Sequence, residues 1–309
     1  MHVPDGILAP PVWMGLATAS AFALGYVGRR LRQQTWQQNI PLMGVMGAFV
    51  FAAQMVNFPI LPGTSSHLLG SALLTLTLGQ PLASMAMTAV LTLQAFIFQD
   101  GGVLALGANV FNMAVMGTLV AQWAGRAFGL YKKTWGAVAA GWFSVTIAGA
   151  LAVAELLASG IRLPSWSVWL ALGALALTGI VEGLLTAAIL ALLERSGLRK
   201  LETPIGRQSR IVAVTALLSV VALTAGALIA SADPDILETA LVKTGLDKLA
   251  TTLLQSPFGD YQAPIAGPSW LRQVLAGALG IALIVGAALL LARFYTSRKK
   301  LPPRCTTSS

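Results

Sequence analysis

The chain has 309 residues, of which 56% are hydrophobic and only 10% charged, with a formal net charge of +9. A soluble domain carries about 25% charged residues, so this composition, with a mean hydropathy of +0.76, excludes an ordinary soluble protein and marks a polytopic membrane protein. The single cysteine, Cys305, sits in a polar tail and excludes both an internal disulfide and a cysteine metal cluster.

A membrane span needs about 20 mainly apolar residues. In chain order the apolar runs predict nine helices, near 8–28, 40–58, 65–80, 82–98, 104–126, 135–158, 168–193, 211–230 and 271–294. The expected class is therefore all-α. The third and fourth runs are divided only by Gly79, Gln80 and Pro81, and proline suits a first helical turn because its missing N–H has no partner there anyway.

Alternating these spans places 16 of the 20 lysines and arginines on one side, in "RRLRQQ", "RAFGLYKK", "ERSGLRKLETPIGRQSR" and the tail from Arg293. Basic loops stay on the cytoplasmic side. Met1 is thus expected outside and the C-terminus inside, across the cell inner (cytoplasmic) membrane. The positive charge is a topology signal and calls for no nucleic acid. The polar stretch 194–210 divides the chain into two modules. Residues 1–200 carry seven of the helices. Residues 205–309 carry two, flanking an outer loop, 231–270, that holds Asp233, Asp235, Glu238 and Asp247.

The chain opens "MHVPDGILAP". A free amine followed by histidine is a chelating unit. The Met1 amine, the His2 amide nitrogen once deprotonated and the His2 imidazole close a five- and then a six-membered ring around one ion. Such planar nitrogen sets suit Ni(II) and Cu(II), whereas Zn(II) prefers a tetrahedron. A fourth corner remains, and the chain has one other histidine, His67, in "PILPGTSSHLLG". It is expected on the same outer face, in the first turn of the third helix, with Thr64, Ser65 or Ser66 as cap. The positive end of a helix dipole there keeps imidazole neutral, the form that binds metal. A carboxylate site on Asp5 or Asp100 is the competing arrangement.

Other polar residues fall within the apolar runs. Glu182 reads as a structural lock or as a group near the site, with Asn109 or Asn112 as its expected partner. Glu155 reads as a group that reaches the outer surface. Asn109 and Asn112, three residues apart, with Gln94 and Asn57, are candidates to support loops around an ion. The four-residue spacing of Gly44, Ala48 and Ala52 lets another helix approach, either within the protein or on a partner.

"MHVPDGILAP", "PGTSSHLLG", "QDGGVLALGANVFNMAVMG" and "VEGLLTA" together resemble the CbiM/NikM family, the substrate-binding S components of energy-coupling factor importers for cobalt and nickel. The resemblance covers about residues 1–195. It implies that the N-terminus inserts among the helices and that Met1, His2 and His67 hold the ion. It also implies a transmembrane coupling (T) subunit and ATPase (A) subunits as partners, in membrane lipid. Ni(II) or Co(II) is then the transported substrate, with no organic cofactor. Relatives often carry a histidine before the glutamate of "VEGLLTA"; this chain has none, so no ligand is assigned there. The second module is similar to the CbiN/NikN, or PDGLE-type, partner. Its "ASADPDILETA" carries Ile236 where that signature has glycine, and "SPFGDYQAPIAG" resembles a later Asp-Tyr segment. The segment 231–270 is expected to act on loading the ion rather than on holding it.

No G-x-x-x-x-G-K-[ST] phosphate loop is present in the sequence, so ATP hydrolysis is expected in separate subunits and the chain itself is not expected to be an enzyme. Two rival classes are a membrane enzyme built on Glu182 and Glu155, and an ion-coupled secondary metal carrier acting without ATPases, a class marked by inverted repeats and midplane ionisable sites.

Overall fold

A computed structural model describes residues 2–32, 39–129, 133–195, 205–231 and 233–298. Met1 and Cys305 lie outside the described residues. The fold is mostly helical. Its helices are α1 (Pro10–Arg32), α2 (Ile40–Gln54), α3 (Ser71–Leu78), α4 (Gln80–Leu93), α5 (Leu106–Asn109), α6 (Gly117–Gly129), α7 (Lys133–Ala158), α8 (Ser165–Arg195), α9 (Ile205–Ile229), α10 (Ile236–Thr244) and α11 (Ser269–Arg298). Among the described residues five helical segments are long and apolar enough to cross a membrane: Gln80–Phe98, Lys133–Ala158, Ser165–Arg195, Val212–Ile229 and Ser269–Leu291. The chain is a multi-pass membrane protein.

Some of these runs depart from simple helices. Residues 65–80 were expected to form one helix, but a hairpin takes their beginning. Strand β1 (Phe58–Leu61) pairs antiparallel with β2 (Thr64–Ser66) around Pro62 and Gly63, and α3 is only eight residues long. At about 1.5 Å per residue α3 rises about 12 Å, well under the bilayer's hydrocarbon thickness of about 30 Å. Gly70 ends the non-helical stretch at φ +83°, and a Cβ there would meet Val50 Cγ1 at 2.4 Å. Thr64, Ser65 and Ser66 are therefore strand residues and not helix caps. Pro81 does open α4. The run 104–126 is helical from Leu106 onward, with a π-helical stretch, Val110–Met116, between α5 and α6.

The core lies under the N-terminal stretch. Val3, Ile7 and Leu8 are buried in one apolar cluster with Leu69, Leu73, Leu74, Met87 and Met113. Insertion of the N-terminus among the helices, implied by the family resemblance, is thus what the fold displays from residue 2 onward. α3 and most of α2 are buried all round, which explains why α2 has no amphipathic face.

The stripe Gly44, Ala48, Ala52 faces inward. A Cβ on Gly44 would meet the Ala288 Cβ of α11 at 2.4 Å, and one on Gly47 would touch Ile284 at 3.4 Å. Of the two readings, packing within the protein is the one found: α2 seats the second module. In return Gly280 of α11 makes room for Phe51, and Gly277 for Met55 and Leu223.

Ile236 poses no backbone problem. It is the first residue of α10, capped by Asp235, whose side chain accepts from Glu238 N–H while Glu238 reaches back to the Asp235 N–H. Helical φ suits isoleucine, and Ile236 is buried.

If α2 is the seat of α11, bulk at Gly44 should hurt and bulk at an open glycine should not. Gly44→Leu is expected to destabilise by about 1–3 kcal/mol through overpacking, whereas Gly15→Leu, with nothing within 4 Å of a Cβ, should leave the melting temperature in detergent unchanged. Equal melting temperatures for both variants would contradict this packing.

Candidate metal centre

Backbone pairing sets the position of His2. Asn109 clamps the next residue: Val3 N–H donates to Asn109 Oδ1 at 2.9 Å, and Asn109 Nδ2 donates to Val3 O at 3.2 Å. Gly102 N–H donates to the same carbonyl at 2.9 Å. Two residues on, the Asp5 carboxylate accepts from the N–H groups of Val103, Leu104 and Ala105 at 2.8, 2.8 and 3.1 Å. Asp5 therefore ties the N-terminal stretch to the segment leading into α5.

The result is a buried imidazole, with His2 only 8% exposed. Its ring lies parallel to that of His67, centroids 5.5 Å apart and planes 7° apart. The two histidines, 65 positions apart in sequence, share one place. His2 Nδ1 lies 2.9 Å from Asp100 Oδ1. That approach is within ion-pair distance, and the Asp100 carboxylate accepts from the ring; His2 Nε2 has no hydrogen-bond partner among the described residues.

His67 is also buried, at 6% exposure. It follows β2 in non-helical chain, four residues before α3, so no helix dipole acts from its own turn. The expectation that its imidazole is neutral is met by another cause. Burial pulls its pKa down from 6.5 to about 3. Nδ1 sits 3.1 Å from Leu68 O, and donation from Nδ1–H to that carbonyl is the tautomer that leaves the lone pair on Nε2.

The loop carrying His67 is fastened from below by Glu182. Its carboxylate accepts from Leu69 N–H at 2.5 Å and from Gly70 N–H at 2.7 Å. The expected partners Asn109 and Asn112 are elsewhere. Asn109 holds Val3, and Asn112 Nδ2 donates to Glu155 Oε2 at 3.0 Å. Glu155 is consequently buried rather than reaching the surface. Gln54 Nε2 donates to Leu69 O at 2.8 Å, and Gln94 Nε2 to Gln54 Oε1 at 2.7 Å, which extends the support. Of the candidate supports, Asn57 contacts the second module instead: its carbonyl accepts from Ser231 N–H at 2.8 Å.

Asp100 and Tyr261 complete the surroundings. Tyr261 O–H donates to Asp100 Oδ2 at 2.6 Å. Burial works to raise the Asp100 carboxyl, but His2, His67 and Tyr261 outweigh it and hold it well below the usual carboxylate range. Burial and the adjoining carboxylate push the Tyr261 phenol well up. Tyr261 was not singled out from sequence; the one available signal was its place in the Asp-Tyr segment of the second module. Among the described residues no group of three or more His, Cys, Asp or Glu side chains forms a metal cluster.

The family model described as "Cobalt uptake substrate-specific transmembrane region", CbiM, matches residues 2–199. The chain belongs to the CbiM family. Its similarity also runs through the second module: a protein of Archaeoglobus fulgidus named as a fused nickel transport protein, NikMN, is 32% identical over 304 residues, 95% of this chain and 99% of that protein. The fused nickel transport protein NikMN of Rhodobacter capsulatus is 34% identical over 217 residues, 63% of this chain and 62% of its own length. A crystal structure of a truncated transition metal transporter superposes with a TM-score of 0.56 at 31% identity, covering 63% of this chain and 99% of that one.

Glu182 offers a direct check on how the CbiM-type site is positioned. Glu182→Leu strips two buried N–H groups of their acceptor, at about 1–3 kcal/mol each, and loosens the His67 loop. Divalent-metal affinity is expected to fall about 10–100-fold, the usual effect of losing a group that orients a ligand. Glu182→Gln keeps an acceptor and should lose less. Competition with a chromophoric chelator measures both, and unaltered affinity in Glu182→Leu would remove this positioning role.

Proposed function

We propose that the chain is the substrate-binding membrane subunit of an ATP-driven energy-coupling factor importer for nickel or cobalt ions, with its CbiN/NikN-like partner fused on. The observation that carries this is the pair of buried imidazoles, His2 and His67, whose rings lie parallel with centroids 5.5 Å apart. Burying an imidazole nitrogen without a partner costs about 1–3 kcal/mol, and a cation shared by the two rings returns that cost. The family match and the names of the similar proteins supply the transport context.

In this reading Met1 gives its amine, His2 its amide and imidazole nitrogens, and His67 the fourth nitrogen to Ni(II) or Co(II). The ion displaces the amide proton as it binds. Residues 1–200 form the seven-helix metal-binding domain, with α3 as the short third member, and 205–309 the two-helix domain. Met1 faces outside and the C-terminus faces the cytoplasm of the cell inner membrane. The T and A subunits are separate chains and hydrolyse ATP. An ion-coupled carrier would instead transport alone and follow a proton gradient, so uptake by cells with and without the ATPase subunits separates the two.

Two outcomes are expected. Extending the chain by one residue before Met1, with His2 kept, should abolish tight Ni(II) binding. Undiminished affinity in the extended protein would sink the amine as a ligand.

The second outcome concerns pH. A free α-amine titrates near about 7.7–8.0 and free imidazole near about 6.5, and both the amine and the amide must shed protons to the ion. Affinity should therefore fall continuously from pH 8 to pH 5. His67 contributes nothing to that slope, because its pKa near 3 keeps it neutral throughout. Its effect is on stability instead. The folded pKa lies below the unfolded one, so its contribution is complete above about pH 6.5 and is lost as pH falls toward 3. A flat Ni(II) affinity between pH 8 and pH 5 would favour a carboxylate site over this nitrogen set.

A further inference from the structure

Asp235 belongs to the second module, yet the backbone delivers it to the loop that carries His67. Ser65 N–H donates to Pro234 O at 2.8 Å, and the Ser65 hydroxyl donates to Asp233 O at 2.7 Å. Residues 233 and 234 are thus bonded to the middle of β2, which ends one residue before His67. Asp235 follows in extended conformation, at φ −70° and ψ 175°, and its carboxylate accepts from Glu238 N–H at 2.9 Å as the N-cap of α10. The Thr239 hydroxyl donates back to Pro234 O at 3.2 Å and fastens the same turn. Asp235 is partly buried there. Its charge reaches the site: Asp100 and Asp235 are negative groups that act on the His67 ring. Burial works to raise the Asp235 carboxyl, but surrounding positive charge, His67 included, and the Glu238 N–H outweigh it and hold it below the usual carboxylate range.

We propose that Asp235 is a charge partner of the bound ion, so that the second module takes part in holding the metal as well as in loading it. This rests on the nitrogen set given above. A divalent ion bound by an amine, two neutral imidazoles and one deprotonated amide keeps one net positive charge. A buried charge needs an opposite one. Asp100 reaches the ligands directly, with Oδ1 2.9 Å from His2 Nδ1. That nitrogen is the one through which the six-membered chelate ring closes, so this contact cannot persist with the ion in place. Asp235 makes no such demand on His67. There Nδ1 faces Leu68 O at 3.1 Å, which leaves Nε2 to the ion, and the carboxylate acts on the loaded ring through space. The N-cap bond and the two bonds from Ser65 fix where the carboxylate sits. A charge already in place has little reorganisation to undergo when the ion arrives.

The cap alone would give Asp235 a purely structural role. Asp235→Asn separates the two, because asparagine caps a helix as well as aspartate does and only the charge is lost. The experiment uses the full chain with its native first residue and Ni(II) as the probe, with affinity read by chelator competition. Asp235→Asn should weaken binding about 10–100-fold with little change in the melting temperature of the metal-free protein. Asp235→Ala loses the cap as well; it should melt lower but bind no more weakly than Asp235→Asn. Asp233→Asn is the control: that residue is exposed and its carboxylate accepts from the Ser231 hydroxyl, so its affinity should be unchanged. Full affinity in Asp235→Asn, with or without a loss in Asp235→Ala, would overturn the proposal, as would an equal loss in Asp233→Asn. His2→Ala run in parallel separates the two levels. Retained affinity there overturns the nitrogen set and this inference with it, whereas lost affinity there with Asp235→Asn unaffected overturns this inference alone.

Discussion

The clamp of Asn109 on the Val3 peptide is the contact on which the rest of the site depends. A chain end is ordinarily the least ordered part of a domain, and the entropic cost of fixing it must be met locally. Here the cost is offset by two hydrogen bonds from one amide side chain, a third from Gly102 and three from backbone to Asp5. Val3 and Ile7 add buried apolar surface. With the backbone held on both sides of the turn, His2 has one place to go, and that place is against His67.

His67 is held by a different device at the opposite wall. Two N–H groups just after it point into protein, where water cannot serve them, and Glu182 on α8 answers both. The carboxylate thus acts at a distance of two residues from the imidazole. Irregular backbone deep in a membrane protein survives only where such partners exist, so Glu182, Gln54 and Gly70 form a set: an acceptor for the N–H groups, a donor for Leu69 O and a residue that tolerates left-handed φ.

Much of this was legible in the sequence, and the failures have physical reasons. The long helices could be read because lipid imposes length and polarity on them. The histidine pair could be read because it comprises both histidines of the chain. The hairpin 58–66 could not. Its strands are four and three residues long, and the run after it is buried on nearly all sides, so its pattern does not distinguish helix from other buried chain. The neutrality expected of His67 was right in its result but not in its cause, since burial does what a helix dipole was expected to do. The partners of Glu182 and Glu155 were hidden because a buried carboxylate announces a need for donors without naming them, and backbone N–H groups leave no mark in a sequence.

The segment of the second module between α9 and α11 turns these separate supports into one assembly. It touches each loop that carries a site residue. Thr251 N–H donates to Asp5 O at 2.9 Å, Ser65 N–H to Pro234 O at 2.8 Å, Ser256 N–H to Gln99 Oε1 at 3.2 Å and Tyr261 O–H to Asp100. Loops that share a cover are coupled: displacing the cover costs contacts on all three at once, and a shift in one loop is felt by the others through it. Fusion suits such an arrangement. A cover supplied as a separate chain loses translational and rotational freedom each time it docks, whereas a covalent tether raises its local concentration. The seat of α11 on α2 does the same work at the level of the helices, fixing the root of the segment so that its far end meets the three loops in register.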